Sequence, residues 1–231
     1  MQQNSKWVLT NTRYCLYYIS VSKLQEVQGF LDDCRSRLER IEFFYPYQND
    51  ELLGVVEHGK FLGVYDNDKL IATIGLDLDK SYAKLLADRV SQCTKGRLAP
   101  TYAYEVSGLM VSGDYRGQGL GTSLVSVIND VARDNVLDGW LCSVVQIENV
   151  GSMKAFLSNG YVLAGVYRMG GEYDFGYFVH PTAQSITTGE YADVVEFRDM
   201  DKHMQMLSLG AVGTKVRSIG IEYRYLANKP I

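Results

Sequence analysis

The sequence predicts an α/β fold in which helices cover both faces of a mixed β-sheet. Three observations lead to this prediction. Strand-like alternation and helical periodicity follow one another along the chain in the order βαββαβαββ. Hydrophobic residues make up 46% of the 231 residues, which is ample for a core. A glycine-rich turn joins one strand directly to the following helix.

The first elements are a strand and a long helix. Aromatic and β-branched residues predict a strand over residues 14–20. Ser22 and Gln25 have the spacing of a capping box, which marks the start of a helix. Apolar residues then recur at alternating spacings of three and four as far as Ile41, so one face of this helix should be buried.

A short helix and a β-hairpin follow. The aromatic, proline-containing connection at 43–48 leads to a helix expected near residues 51–57. Alternating apolar residues at 61–65 and 70–78 flank the polar turn Asp66-Asn67-Asp68-Lys69, which predicts a hairpin with one buried face.

The next segment is predicted to be a helix over residues 79–96, since apolar residues repeat at helical spacing and Gly96 stands where a helix would end. Two interpretations stay open: the helix covers the substrate side of the site, or it adds packing only. Strands are predicted at 102–111, 139–146, 161–168 and 173–180, the last two joined through Met169-Gly170-Gly171.

Residues 181–231 form a C-terminal, β-rich extension. Ile219, Ile221, Tyr223 and Tyr225 alternate with polar residues, which predicts a strand with one buried face. With a strand near 194–198 and a short helix near 202–209, the extension should enlarge the sheet or form a homodimer interface.

The glycine-rich turn is the strongest functional signal. Gly117, Gly119 and Gly121 lack Cβ atoms, so they can adopt positive φ and let a ligand approach the main chain. The apolar repeat that begins at Leu120 starts a helix inside this turn. The first amides of a helix lack intrahelical partners and carry positive charge, so a diphosphate would be favoured there, beside the cationic Arg116.

Two common phosphate-binding motifs do not fit this turn. The spacing Gly117-x-Gly119-x-Gly121 differs from the dinucleotide fingerprint, and the Gly-Lys-Ser/Thr of a Walker loop is missing. On these residues alone, a nucleotide-binding protein of another α/β family stays an alternative.

The segment Arg116-Gly117-Gln118-Gly119-Leu120-Gly121, preceded by Leu109-x-Val111, resembles the acetyl-CoA loop of the GNAT superfamily of N-acetyltransferases. A second segment, running from Asn149 through Ser152 and Phe156 to Gly160-Tyr161, resembles that family's next motif. The resemblance implies a GNAT fold in residues 1–180, with a helical insertion between strands three and four, and acyl transfer from acetyl-CoA to an amine of a small molecule or protein.

The resemblance also implies roles for individual residues. Leu109, Met110 and Val111 would bind the pantetheine arm. The diphosphate would bind to the loop, at Arg116, Gly117, Gln118, Gly119, Leu120, Gly121 and Thr122. Asn149, Ser152 and Phe156 would lie near the pantetheine.

An alkylammonium must lose its proton before it can attack a thioester, so a base is needed. The resemblance implies Glu105 as this base, since it lies where many family members carry a strand-four glutamate. A structural or substrate-orienting role is the alternative. Phe156 occupies the position where many family members carry a tyrosine that protonates the leaving thiolate. Either water or a hydroxyl from Tyr102 to Tyr104 replaces it, or the chain is a catalytically silent, CoA-binding or protein-interaction module.

Composition narrows the remaining classes of function. A net charge of −4 disfavours nucleic-acid binding through a broad basic face. The four cysteines and three histidines are scattered, so no metal is expected. No segment has the pattern of a signal peptide or membrane span, which predicts a cytoplasmic protein without membrane partners.

Overall fold

The computed structural model describes residues 14–136, 139–169, 173–183 and 185–227. The strands are β1 (Cys15–Tyr18), β2 (Lys60–Asp66), β3 (Lys69–Leu76), β4 (Ala103–Val111), β5 (Trp140–Gln146), β6 (Val162–Met169), β7 (Tyr173–Pro181), β8 (Thr188–Glu196), β9 (Ala211–Val216) and β10 (Gly220–Leu226). The helices are α1 (Leu24–Ser36), α2 (Asn49–His58), α3 (Lys80–Cys93), α4 (Leu120–Asn135), α5 (Val150–Leu157) and α6 (Met200–Ser208). The predicted α/β order is confirmed.

The chain forms two compact units. The first comprises Met1–Asp79 and Val106–Val131, and the second comprises Lys80–Glu105 and Ala132–Ile231. Strand β4 therefore contributes its C-terminal part to the first unit and its N-terminal part to the second.

In the first unit the strand order is β1-β2-β3-β4, and all neighbours are antiparallel. One core cluster joins α1 and α2 to the sheet through Val27, Leu31, Leu52, Phe61 and Met110. The prediction of one buried face for the hairpin was wrong. Strand β3 is buried on both faces from its second residue onward, because the sheet is covered on each side.

Helix α1 is shorter than its apolar repeat predicted. A 3-10 turn, Val21–Lys23, precedes it, and no side chain caps its first amides. The hydroxyl of Ser22 instead lies 2.8 Å from that of Ser20, so the predicted capping box was wrong. A capping box forms one helix later, where the Gln48 N–H donates to Glu51 Oε2 at 2.7 Å.

In the second unit the strand order is β4-β5-β7-β6-β9-β10-β8. Strands β4 and β5 are parallel, and the other neighbours are antiparallel. The predicted insertion is confirmed as α3, whose Leu86, Ala87 and Val90 pack in one cluster with Cys142 and Tyr177. The turn predicted between β6 and β7 lies largely outside the described residues.

The C-terminal extension enlarges the sheet of the second unit, since β9 pairs with β6. Strand β9 was not predicted. The predicted alternation in β10 is partly wrong, because Ile219 is 62% exposed while Glu222 is only 3% exposed. Glu222 is buried as a carboxylate because Arg217 and Arg224 both donate to it.

Within the described ranges, no helix combines the length and apolar character needed to cross a membrane. The same part of the chain contains no group of three or more metal-ligating side chains.

Candidate acetyl-CoA site

Strand β4 carries a bulge before the loop. Opposite the interval from Thr73 to Gly75 of β3, strand β4 carries one extra residue. Gly108 lies within this part of β4 and adopts a φ of +62°. A side chain at Gly108 would collide with Tyr47, whose hydroxyl would lie 2.9 Å from the added Cβ. The Gly108 carbonyl is satisfied by the buried Thr73 hydroxyl at 2.8 Å. Glycine is therefore required here both for φ and for space.

The end of β4 presents peptide groups away from β3. The Ser112 N–H donates to the Ile71 carbonyl at 2.9 Å, so this position faces β3. Since peptide directions alternate along a strand, the N–H and carbonyl of Val111 face the opposite edge. Arg116 Nε donates to that Val111 carbonyl at 3.0 Å, which fixes the start of the loop.

The loop itself combines a 3-10 turn, Gly113–Tyr115, with two left-handed glycines. Gly117 has a φ of +74° and Gly119 a φ of +79°. Apart from each glycine and its two chain neighbours, no atom of the described residues lies within 4 Å of a Cβ built on either. The first bond of α4 runs from the Ser123 N–H to the Gly119 carbonyl at 3.0 Å. Among the described residues, the amides from Gly117 to Gly121 have no backbone acceptor, so they can bind an anion.

The loop and the end of β4 are brought together in the first unit. A Cβ on Gly121 would lie 3.9 Å from Val111 Cγ2 and 4.0 Å from Leu109 Cδ1. The side chains of Leu109 and Val111 therefore lie beside the start of α4. The Met110 side chain is 5% exposed and belongs to the α1–α2 core. By the same alternation its peptide groups face β3, where it pairs with Thr73, so its predicted contact with pantetheine remains a prediction.

Asn149, Ser152 and Phe156 lie in the second unit. Asn149 caps α5, since its side-chain oxygen accepts from the Ser152 N–H at 3.1 Å. Phe156 is 1% exposed, and its ring meets Tyr161 edge-on with centroids 5.0 Å apart. These contacts give Asn149 and Phe156 local structural roles, and their predicted contacts with pantetheine remain predictions.

Glu105 also lies in the second unit. It is half-buried and stands opposite Cys142 in the parallel pairing of β4 with β5. Burial raises the pKa of Tyr82, and the nearby Glu105 carboxylate raises it further. Burial and then Glu105 likewise raise the pKa of Cys142. Burial and the neighbouring Tyr177 raise the pKa of Tyr167, with a smaller contribution from Glu105. The Glu105 carboxylate thus lies within electrostatic reach of Tyr82, Tyr167 and Cys142.

Tyr104, one of the hydroxyls considered as a general acid, is 7% exposed, and burial raises its pKa. Its ring lies against Gly139. A Cβ added to Gly139 would lie 2.7 Å from an atom of the Tyr104 ring and 2.7 Å from an atom of Val136. Its side chain is consequently part of the core.

Sequence reasoning missed the side chains that surround the loop, namely Tyr14, Asp66, Lys69 and Tyr115. Tyr115 immediately precedes Arg116, and this adjacency was the one available signal. The other three come from distant segments that only folding brings near the loop.

Comparisons with known proteins agree with this geometry. A family model described as the Acetyltransferase (GNAT) family matches residues 24–161, which is more than half of the chain. None of the curated protein sequences compared with the chain matches it.

Several solved structures share the fold. A putative acetyltransferase from Salmonella typhimurium, solved with its cofactor acetyl-CoA, has a TM-score of 0.56 at 13% identity and covers 77% of this chain and 99% of its own. Spermidine N-acetyltransferase from Vibrio cholerae, in complex with CoA and spermine, has a TM-score of 0.52 at 16% identity, covering 75% and 98%. The ribosomal-protein-S18-alanine N-acetyltransferase from Escherichia coli has a TM-score of 0.53 at 15% identity, covering 74% and 96%.

The family match includes β4, the glycine-rich loop and the start of α4, and the structural matches extend over three quarters of the chain. The chain therefore belongs to the GNAT family of acetyltransferases.

Proposed function

We propose that this protein transfers an acetyl group from acetyl-CoA to a primary amine of a small molecule or protein. The observation that carries the proposal is the loop at 116–122, where two left-handed glycines precede α4 and the amides from Gly117 to Gly121 have no backbone acceptor among the described residues. This arrangement suits a diphosphate, because amide donors and the helix dipole both favour negative charge.

The residues of this chain would divide the binding of the cosubstrate. The amides from Gly117 to Gly121 would bind the diphosphate, with Arg116 adding positive charge. Leu109 and Val111, on either side of Met110, would pair through their main chain with the pantetheine arm, as an extra strand pairs with an edge. Acetyl-CoA would supply the thioester from which the acetyl group is transferred.

Glu105 would accept the proton of the incoming ammonium, since only the neutral amine is nucleophilic. The amine nitrogen would then attack the thioester carbonyl, and a backbone amide near Leu109 or Met110 would donate to the developing oxyanion. As the carbon–sulfur bond breaks, the attached nitrogen would release its extra proton to water, and water would deliver a proton to the departing thiolate, because the buried Phe156 carries no hydroxyl.

The decisive test uses Glu105→Gln, which preserves shape while removing the base. We expect kcat to fall by roughly 100-fold or more, the usual contribution of general base catalysis, while the Kd for CoA changes less than about threefold. Thiol release with a panel of amines measures the first quantity and calorimetry the second. An equal loss of both would refute the base assignment, and no thiol release by the wild type with any amine would favour the silent module.

We also propose that residues 1–180 carry the transfer reaction and that 181–231 provide a homodimer interface. Strand β8 ends the strand order of the second unit and carries the 55% exposed Tyr191. Within the part of the chain that the structure describes, β8 pairs with β10 alone, and an edge of this kind can accept a strand from a second copy. Sedimentation of the full chain tests this, and a monomer at all concentrations would contradict it.

A further inference from the structure

We propose that a clamp formed by Asp66, Tyr115 and Tyr14 positions the glycine-rich loop for the diphosphate of CoA. The three are positioning residues, since they act through the loop rather than on the ligand. The inference rests on the proposed function, because it takes the diphosphate as the occupant of the loop.

The first part of the clamp ties the loop to the β2–β3 hairpin. The Tyr115 hydroxyl donates to Asp66 Oδ2 at 3.0 Å. Asp66 is 5% exposed, and its other oxygen accepts from Asn67 Nδ2 at 3.2 Å. Asn67 forms the hairpin turn with a φ of +54°. A hydrogen bond to a buried carboxylate is stronger than one between neutral groups, so the hairpin holds Tyr115 firmly.

The second part reaches the loop from the start of β1. The Tyr14 ring meets the Tyr115 ring edge-on, with centroids 5.9 Å apart and planes at 74°. The Tyr14 hydroxyl donates to Gln118 Oε1 at 3.2 Å. The side-chain Nε2 of Gln118 donates in turn to the Asp114 carbonyl at 3.4 Å. Residues on both sides of Gly117 are thereby tied to the β1–β3 part of the unit.

Lys69 contributes less to this arrangement. Its Nζ lies 5.6 Å from the Tyr115 ring centroid and 3.9 Å from Asp114 Oδ2. Both charged side chains are well exposed, so solvent screens the ion pair. The hydrogen bond from Tyr115 to Asp66 is the contact on which the clamp depends.

The clamp contacts the loop through the side chains of Tyr115 and Gln118. These contacts leave the backbone amides of Gly117 to Gly121 for a ligand. A segment with two left-handed glycines is otherwise free to sample many conformations, and ordering it on binding would cost entropy. By ordering the loop beforehand, the clamp raises affinity without touching CoA.

The test is Tyr115→Phe, which removes the hydroxyl and keeps both ring contacts. We expect the Kd for CoA, measured by calorimetry, to rise roughly tenfold, the factor associated with one lost hydrogen bond to a charged group. Hydrogen exchange of residues 113–121 should become faster without ligand, while the rest of the first unit is unchanged. The matched control is Tyr45→Phe, since Tyr45 is 70% exposed and remote in sequence from the loop.

A double-mutant cycle with Asp66→Ala completes the test. Removing the acceptor should weaken CoA binding by a similar factor, and the double variant should be no weaker than the weaker single variant. The clamp is refuted if Tyr115→Phe binds CoA as tightly as the wild type, or if exchange accelerates throughout the first unit. Failure of the wild type to bind CoA would refute the proposed function instead.

Discussion

Replacing Gly119 by alanine separates the backbone conformation of the loop from its sterics. Apart from the adjoining residues, no atom of the described chain lies within 4 Å of a Cβ at this position, so the added methyl group makes no steric contact. The φ of +79° is nevertheless left-handed, and an L-residue there costs about 1–2 kcal/mol. If the loop keeps its conformation, this cost appears as a melting temperature lowered by roughly 2–8 °C. If the loop relaxes, binding must restore it, and the Kd for CoA rises about 5- to 30-fold.

The matched control is Gly121→Ala. Gly121 lies in the first turn of α4, and its added Cβ would make ordinary contacts of 3.9 and 4.0 Å with Val111 and Leu109. Alanine favours helix over glycine by up to about 1 kcal/mol, so the melting temperature should stay the same or rise. Melting curves with and without CoA, together with calorimetry, measure both variants. An unchanged melting temperature together with unchanged CoA affinity in Gly119→Ala, or an equal loss in Gly121→Ala, would refute the reasoning.

Two further predictions concern the scaffold. Thr73→Val should lower the free energy of unfolding by about 1–3 kcal/mol, because it removes the hydroxyl that donates to the buried Gly108 carbonyl. Urea unfolding measures this change. Thr101→Val is the control, since Thr101 is exposed and its replacement should leave the free energy of unfolding unchanged. Burial lowers the pKa of His203 in the folded chain, whereas in the unfolded chain this pKa keeps its ordinary value of about 6.5. Below that value the unfolded chain binds more protons than the folded chain, so the free energy of unfolding should fall as the pH drops from 7 to 5. His203→Gln should flatten that dependence in urea unfolding at each pH, and an unchanged slope would contradict it.

Local chemistry made the loop predictable. Gly117 and Gly119 need no distant partner to adopt positive φ, and the apolar repeat after Leu120 identifies the helix that follows. The insertion α3 was predictable for the same reason, since Gly96, with a φ of +76°, donates to the Ser91 carbonyl and ends the turn that closes it. These features depend on neighbours within one or two turns of the chain.

Features that depend on particular side-chain partners were missed. Ser22 bonds to Ser20 rather than capping α1, and a polar spacing alone could not distinguish the two outcomes. Glu222 is buried because two arginines accompany it, which an alternation of apolar residues does not indicate. Asp66 and Tyr115 are 49 positions apart, so nothing local links the hairpin to the loop.

The central claim is that the amides between Gly117 and Gly121 bind the diphosphate of CoA. The most direct measurement is a titration of the isotope-labelled protein with CoA, following backbone amide resonances by NMR. The account predicts saturable shifts at Gly117, Gly119 and Gly121 that are among the largest in the protein. CoA binding that leaves these three resonances unmoved would contradict it.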